Sequence, residues 1–354
     1  DVCSSDLISD WLSDRLSLNL LKNVLSEKSV PQHKHTFWYF FGGLCLLFFI
    51  VQIFTGMLLM IYYSPTTNGA HKSVELITNE VSMGWIVRSM HSWSAHLLIG
   101  VVLIHLFSTY FMKSYRKSRE MVWVTGILAL FLILGFAFTG YLLPWDTTAY
   151  FATQIGTEIP KSVPIIGEML VQVLRGGEYV GESSIQRFFA LHVIILPLIS
   201  LGFISIHIIL NHVKGTSIPI GVKVYREEPF YPNFLLRDLV SWLIAFSILL
   251  SLVFIFPVHL GPKADPLSSA PAGIKPEWYF LPLFQTLKII PSTLLGVNGE
   301  MLVNLLVGLF GFLLILLPIF DRKANIGINN KLYTVAGLAI LAYMLLTTIL
   351  AYMA

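Results

Sequence analysis

Residues 85–112 of this 354-residue chain read WIVRSMHSWSAHLLIGVVLIHLFSTYFM. The stretch can cross a membrane as one helix, since a spanning helix needs about 20 mostly apolar residues. It nevertheless carries three histidines, and ionisable residues inside a span are costly and usually functional. His91 and His105 are 14 residues apart, so they share one helix face at heights about 21 Å apart. His96 lies on a different face.

A second apolar stretch, residues 184–212, carries His192 and His207 with a 15-residue spacing. This spacing corresponds to about 22 Å along a helix. If both stretches cross the membrane in the same direction, His91 faces His192 and His105 faces His207. Two opposed imidazoles can ligate a haem iron, so the matched spacing predicts two haem sites stacked across the bilayer. The alternative is four unrelated histidines, each hydrogen-bonded inside a helical bundle.

The composition of the whole chain is that of a membrane protein. Hydrophobic residues make up 55% and charged residues 12%, against about 25% charged in a typical soluble domain. This excludes a soluble protein and a disordered chain, and no basic stretch indicates nucleic-acid binding. Seven stretches are long enough to span, and backbone in lipid must form helices to satisfy its hydrogen bonds. They are residues 36–62, 85–112, 122–144, 184–212, 238–258, 300–320 and 332–352.

We therefore predict an all-α integral membrane protein with about seven transmembrane helices. A four-helix bundle that binds two haems is expected to precede a three-helix domain. The predicted divisions are an N-terminal interfacial amphipathic segment (1–35, with a surface helix over 7–22), the di-haem domain (36–212), a cytoplasmic linker (213–237) and the three-helix domain (238–354).

The distribution of Lys and Arg predicts the orientation. Most of the 23 basic residues lie in loops on the N-terminal side of the spans, which places the N-terminus in the cytoplasm. The C-terminus then lies on the positive side of the membrane after seven spans. Two long loops rich in Pro and Gly, 145–183 and 259–299, also face the positive side, and long loops of this kind are usually functional.

Glycines on two other spans repeat the histidine spacing. Gly42 and Gly56 are 14 residues apart, and so are Gly126 and Gly140. The missing side chains would let a flat macrocycle approach the backbone. Ordinary packing of small residues between helices is the alternative.

Arginines lie near the positive-side ends of the two histidine-bearing spans. Arg88 precedes His91 by three residues, and Arg187 precedes His192 by five. Either guanidinium could pair with a haem propionate or extend to the lipid headgroups.

Together with these histidines and glycines, two motifs make the chain resemble cytochrome b of the Rieske/cytochrome b complexes, of the bc1 and b6f types. They are GYLLPWD at residues 140–146 and PEWY at residues 276–279. The resemblance implies a lower-potential haem between His91 and His192 and a higher-potential haem between His105 and His207. Both haems would be non-covalent.

The resemblance also implies two sites for quinol or quinone. The positive-side site would oxidise quinol and use Glu277, Tyr279 and Tyr141, with Glu277 accepting a proton. The negative-side site would use His212 and Asp238, which could deliver protons to a quinone. Ordinary interfacial polarity is the alternative for these ionisable residues.

The chain combines features of two branches of that family. The spacing of His192 and His207 and the run that follows Glu277 resemble the cytochrome b6 branch. Continuity across 213–237 resembles the bc1 branch, as does the pairing of His212 with Asp238. The chain is therefore expected to be a fused bacterial form in the cytoplasmic membrane, without the eighth helix common in bc1 cytochromes.

An extra covalent haem, which the cytochrome b6 branch holds on a cysteine, is not expected. Phe40 occupies the position of that cysteine. Cys45 lies five residues further on and would face about 140° away around the helix, so its role stays open.

The resemblance implies a quinol–cytochrome-c reductase type of enzyme that transfers electrons across the membrane with coupled proton translocation. The chain has no iron–sulfur ligands and no c-type haem motif, so the expected partners are a Rieske iron–sulfur protein and a c-type cytochrome. Membrane lipid and a second copy of the complex are also expected. Two alternatives are a di-haem membrane anchor of a dehydrogenase or hydrogenase, which needs no PEWY loop, and a transporter without a cofactor.

Overall fold

The structure, a computed structural model, describes residues 28–116, 118–294 and 296–353. Six of its helices are long and apolar enough to cross a membrane, and a further apolar helix is shorter. The predicted helical membrane fold is confirmed. The surface helix predicted over residues 7–22 lies outside the described residues.

The first half of the chain contains the helices that carry the histidines and the paired glycines. They are α1 (Phe40–Met60, entered through a 3-10 turn at Thr36–Tyr39), α2 (Ala70–Asn79), α3 (Gly84–Phe111), α4 (Glu120–Tyr141), α5 (Thr147–Glu158), α6 (Gly167–Arg175) and α7 (Glu182–Lys214). Helix α1 packs along α3, and α4 packs along α7. The four predicted spans differ from the observed ends by no more than three residues.

The second half differs more from the prediction. Its helices are α8 (Leu235–Ile255), α9 (Leu281–Ile289), α10 (Gly299–Ile315), α11 (Leu317–Phe320), α12 (Arg322–Asn325) and α13 (Lys331–Met353). The predicted span 300–320 is in fact α10 followed by the short α11, because Pro318 cannot continue the hydrogen bonding of a helix. Helix α8 begins before the predicted residue 238, after an irregular turn at Phe230–Phe234.

Two small antiparallel pairs of strands were not predicted. Strand β1 (Ser29–Gln32) pairs with β2 (Arg226–Pro229), inside the predicted linker. Strand β3 (Thr293–Leu294) pairs with β4 (Val297–Asn298), just before α10. Both strand pairs lie at the ends of the helical bundle, outside its helical core.

The two long loops meet at one end of the bundle. The backbone N–H of Ala264 donates to the carbonyl of Trp145 at 3.1 Å, and that of Thr147 donates to the carbonyl of Pro262 at 2.9 Å. Trp145 is buried at 1% exposure. The loops after α4 and α8 therefore lie on the same side of the bundle, as their predicted common membrane side requires.

A buried ionic cluster joins the two halves at the opposite end. Lys113 and Asp321 are 1% and 0% exposed, and Lys113 Nζ lies 4.0 Å from Asp321 Oδ2. The Tyr115 hydroxyl donates to the same oxygen at 2.7 Å. Burial lowers the pKa of Lys113, and the negative charge of Asp321 opposes that shift. The cluster holds the loop after α3 against the loop after α11.

Replacing Asp321 by alanine should destabilise the protein strongly. The substitution leaves the Lys113 ammonium buried without its counter-charge, and removing one partner of a buried pair costs about 3–5 kcal/mol. Thermal unfolding in detergent measures the loss. Tyr115→Phe, which removes one hydrogen bond, should cost only about 1 kcal/mol.

The control is the double variant Asp321→Ala with Lys113→Met, which removes both charges. It should recover most of the stability that Asp321→Ala loses. Equal instability of the single and double variants would contradict an unpaired charge as the cause.

Candidate haem and quinone sites

The structure brings the four histidines together in two pairs between α3 and α7. The ring centroids of His91 and His192 are 6.2 Å apart, and those of His105 and His207 are 6.5 Å apart. A metal–imidazole bond is about 2.0 Å long, so two imidazoles on opposite sides of one metal ion have centroids roughly 6 Å apart. Each pair therefore leaves space for one haem iron between its two rings.

Threonine hydroxyls fix the tautomer of three of these histidines. The contacts are Thr55 Oγ1 with His91 Nδ1 at 2.8 Å, Thr139 Oγ1 with His192 Nδ1 at 3.1 Å and Thr125 Oγ1 with His207 Nδ1 at 3.2 Å. Each hydroxyl donates its own hydrogen to the backbone carbonyl four residues earlier, so it accepts from the ring. The proton therefore lies on Nδ1, and Nε2 keeps the lone pair that ligates a metal.

His105 lacks such a partner. Its Nδ1 is buried without a hydrogen bond in the described part of the chain. The three threonines directly precede Gly56, Gly126 and Gly140, whereas Phe41 precedes Gly42. These threonines were not predicted from the sequence, although the repeated Thr-Gly dipeptide is visible there.

Each predicted glycine lies against one histidine ring. A Cβ atom on Gly42, Gly56, Gly126 or Gly140 would lie 3.4, 3.3, 3.0 or 2.6 Å from the Cε1 atom of its facing histidine. These histidines are His105, His91, His207 and His192 respectively. The missing side chains thus make room for the rings themselves, and close approach of a macrocycle to these glycines stays a prediction.

These distances predict that alanine is tolerated at Gly42 but not at Gly140. At 2.6 Å from Cε1, the new methyl group must displace the His192 ring, whereas 3.4 Å at His105 is an ordinary contact. Gly140→Ala should therefore lose one b-type haem, and Gly42→Ala should retain both. Reduced-minus-oxidised spectra and a haem count of the purified protein measure this, and equal losses would contradict it.

A π-helical turn at Leu191–Ile195 contains His192. Such a turn inserts one extra residue into an α-helix and is frequent at functional sites. It explains why 15 residues separate His192 from His207 while 14 separate His91 from His105. The π-helical turn accommodates the extra residue locally, so the two rings of each histidine pair can still face each other. The spacing was visible in the sequence, but the turn was not predicted.

A deletion inside this turn should therefore be harmless to the haem sites. Deleting Ile194 would convert the turn to regular α-helix and give His192 and His207 a 14-residue spacing, so both haems should be retained. The matched control deletes Leu201, which is also exposed but lies in regular helix. That deletion rotates one histidine by about 100° and should lose a haem by the same spectra. Loss of a haem in both variants would contradict this role of the turn.

The arginines contact backbone carbonyls in this structure. Arg88 donates from Nη1 to the carbonyl of Val258 at 2.7 Å and from Nη2 to that of His259 at 3.2 Å. Arg187 donates to the carbonyl of Val173 at 2.6 Å. A guanidinium has five N–H donors, so each retains capacity for a carboxylate, and pairing with propionates stays a prediction.

The predicted positive-side residues come together beside α3. Glu277 lies within electrostatic range of both Tyr141 and Tyr279. Burial raises the pKa of the Tyr279 phenol, and the negative charge of Glu277 adds to this shift. His96 also lies beside these residues, with its Nδ1 atom 3.9 Å from Glu277 Oε2. From the sequence we predicted only that His96 is not on the helix face of His91 and His105.

A narrow apolar pocket lies beside the PEWY segment. It is lined by residues of α5 and of the chain leading into α9, among them Ile155, Gly156, Pro276 and Phe280. Its lining suits a small hydrophobic ligand, but its volume of about 40 Å³ is well below the roughly 300 Å³ of an ordinary ligand pocket. The two long loops therefore supply both walls of this pocket.

The predicted negative-side residues lie at the end of the bundle where α1 begins and α7 ends. Within the described residues they make no hydrogen bond to each other. Asp238 packs against α1, where a Cβ atom on Gly43 would overlap its carboxylate. His212 lies near the end of α7, and Lys28 Nζ donates to its backbone carbonyl. Gly43 adjoins Gly42, so the Asp238 carboxylate lies close to the helix segment that contacts His105.

Phe40, at which no covalent haem is expected, takes part in an aromatic stack. The ring of Phe40 stacks on Phe234 with centroids 5.1 Å apart and planes inclined by 10°. Cys45 packs against the apolar core of the bundle.

Both halves of the chain match known protein families. Residues 25–215 match a family described as Cytochrome b/b6/petB, and residues 263–354 match one described as Cytochrome b(C-terminal)/b6/petD.

Individual proteins are similar over the same parts. The cytochrome bc complex cytochrome b subunit of Chlorobaculum thiosulfatiphilum is 46% identical over 352 residues, 98% of this chain and 81% of that protein. Cytochrome b6 of Cyanidium caldarium is 39% identical over 211 residues, 60% of this chain and 98% of that protein. A solved chain of a hyperthermophilic respiratory Complex III superposes with a TM-score of 0.85 at 28% identity, covering 98% of this chain and 91% of that one.

Proposed function

Since this chain belongs to the cytochrome b/b6 family, we propose that it is the cytochrome b subunit of a quinol:cytochrome c oxidoreductase, or of one with a related acceptor. Homology to cytochrome b subunits of bc complexes gives it an electron-transfer role in the membrane. The alternative of a di-haem dehydrogenase or hydrogenase anchor is not favoured, because the similarity extends over 98% of the chain and the C-terminal family match, residues 263–354, spans the PEWY loop.

Two non-covalent b haems are assigned to the histidine pairs, one to His91 and His192 and one to His105 and His207. The single observation that carries this assignment is the spacing of the ring centroids at 6.2 and 6.5 Å. When bound, the two haems supply one-electron carriers that connect quinol oxidation on the positive side with quinone reduction on the negative side. The threonine hydroxyls hold Nε2 of three ligands free for the iron.

Quinol oxidation is assigned to the end of the bundle where the long loops meet. The quinol would bind beside Pro276, where the walls of the narrow apolar pocket would have to separate to admit its ring, and the Glu277 carboxylate would accept a quinol proton. Tyr279 and Tyr141, both close to Glu277, would orient the ring by hydrogen bonds. A Rieske iron–sulfur protein would dock over the two loops, and a c-type cytochrome would serve as its acceptor.

Quinone reduction is assigned to the opposite end. Asp238, held against α1 at Gly43, and His212, at the end of α7, would supply protons to the reduced quinone. Proton release at one end and uptake at the other would couple electron transfer to proton translocation.

The arrangement in the membrane completes the proposal. The di-haem domain is assigned to 36–212, the cytoplasmic linker to 213–237 and the three-helix domain, resembling subunit IV, to 238–354. The N-terminus would lie in the bacterial cytoplasm and the C-terminus on the positive side. Within the membrane lipid, the complex would form a homodimer.

Purification of the complex from membranes tests this function. The preparation should contain a Rieske subunit, show two b-type haems in reduced-minus-oxidised spectra and reduce a c-type cytochrome with quinol. His91→Ala should remove one haem and leave the other, since each pair holds its own iron. Absence of any b-type haem would establish a cofactor-free protein, and loss of both haems in His91→Ala would contradict the assigned pairs.

A further inference from the structure

His96 is an ionisable residue inside a span that neither histidine pair uses. It lies five residues after His91 on α3, and its side chain is 27% exposed. The ring of Trp93 lies 5.6 Å from its ring, and that of Tyr279 lies 6.2 Å from it. Because a histidine within a span is costly, its contact with the PEWY segment points to a role at that segment.

The hydrogen bonding of His96 defines its protonation state. The indole Nε1 of Trp278 lies 3.3 Å from His96 Nδ1 and donates to it, and an indole N–H can only donate. Nδ1 therefore carries a lone pair, and the ring is neutral with its proton on Nε2. The same lone pair lies 3.9 Å from Glu277 Oε2, so a base on α3 faces the carboxylate of the PEWY segment.

We propose that His96 is a positioning residue that takes protons from Glu277 during quinol oxidation, an inference that rests on the function proposed above. In the first step the quinol O–H bond breaks, its electron pair stays on oxygen, and the Glu277 carboxylate becomes a carboxylic acid. In the second step the Trp278 N–H gives up its hydrogen bond to His96 Nδ1, the O–H bond of the Glu277 carboxylic acid breaks, and the proton binds the freed lone pair of Nδ1. A carboxylate and an imidazolium then face each other, and Glu277 can accept again.

The surroundings favour transfer between these two groups. In the described part of the chain, Glu277 is the one charged side chain within ion-pair distance of His96. Burial raises the pKa of Tyr279, and the Glu277 charge adds to the shift, so this phenol keeps its own proton and does not compete as a base. Beyond Tyr279, the charges of Glu277 and Asp146 both act on Tyr141, and the charge of Asp146 acts on Arg88. Glu277 and His96 can thus hold between them the two protons that one quinol loses.

Two substitutions separate proton transfer from packing. His96→Gln keeps an oxygen acceptor for the Trp278 N–H but cannot bind a proton near neutral pH. His96→Leu removes both the acceptor and the base. Glu277→Gln identifies, in infrared difference spectra of the intact complex, the carboxyl band that belongs to Glu277.

In His96→Gln the pH midpoint of that carboxyl band should rise by about one unit, because the carboxylate loses the imidazolium that the wild-type ring forms beside it in acid. Quinol oxidation should fall about tenfold at neutral and higher pH, where the wild-type ring is a free base, and the loss should shrink on the acidic limb, where that ring already carries a proton. His96→Leu should show the same shift together with a loss at every pH, from disturbed packing of Trp278.

An unchanged band midpoint in His96→Gln overturns the proposal, and so does a rate loss of equal size at every pH. The infrared measurement needs no turnover, which separates the two proposals. If the band midpoint moves but the unmodified complex does not oxidise quinol, the pairing of His96 with Glu277 stands and the proposed function is wrong.

Discussion

Both histidine pairs lie between the same two helices, α3 and α7. In each pair the two rings must face each other at the distance that one iron ion requires. A helix has a fixed rise and rotation per residue, so placing His91 opposite His192 also determines where His105 meets His207. Helix α7 carries one residue more than α3 between its histidines, and the π turn at Leu191–Ile195 takes it up. The close packing of α1 on α3 and of α4 on α7 follows from the same requirement, because only glycines leave room for the rings.

The requirement also explains how one helix takes part in two sites. Because one face of α3 is committed to His91 and His105, a residue on another face is free to meet the three-helix part of the chain. His96 lies on such a face and contacts the PEWY segment. A single rigid helix therefore fixes the position of the candidate proton acceptor relative to the histidine pairs.

Sequence patterns predicted what is periodic and local. Hydropathy predicted the spans, since the length of an apolar stretch is a property of each helix alone. The helical repeat predicted which of the four histidines face each other. The break at Pro318 was missed because hydropathy does not register a missing N–H. The contact of His96 with Trp278 joins residues 182 positions apart, and the pairing of β1 with β2 joins distant segments. Such contacts depend on tertiary packing, which no local pattern encodes.

The contacts at the two ends of the bundle bear on how the chain is connected. Trp145 with Ala264 at one end, and Lys113 with Asp321 at the other, join the two halves independently of residues 213–237. A break in that segment would turn an intramolecular association into one between two polypeptides, and a bilayer would still keep them concentrated in one plane. The connecting segment therefore sets the stoichiometry and the effective concentration of the two halves, while the buried contacts set their arrangement.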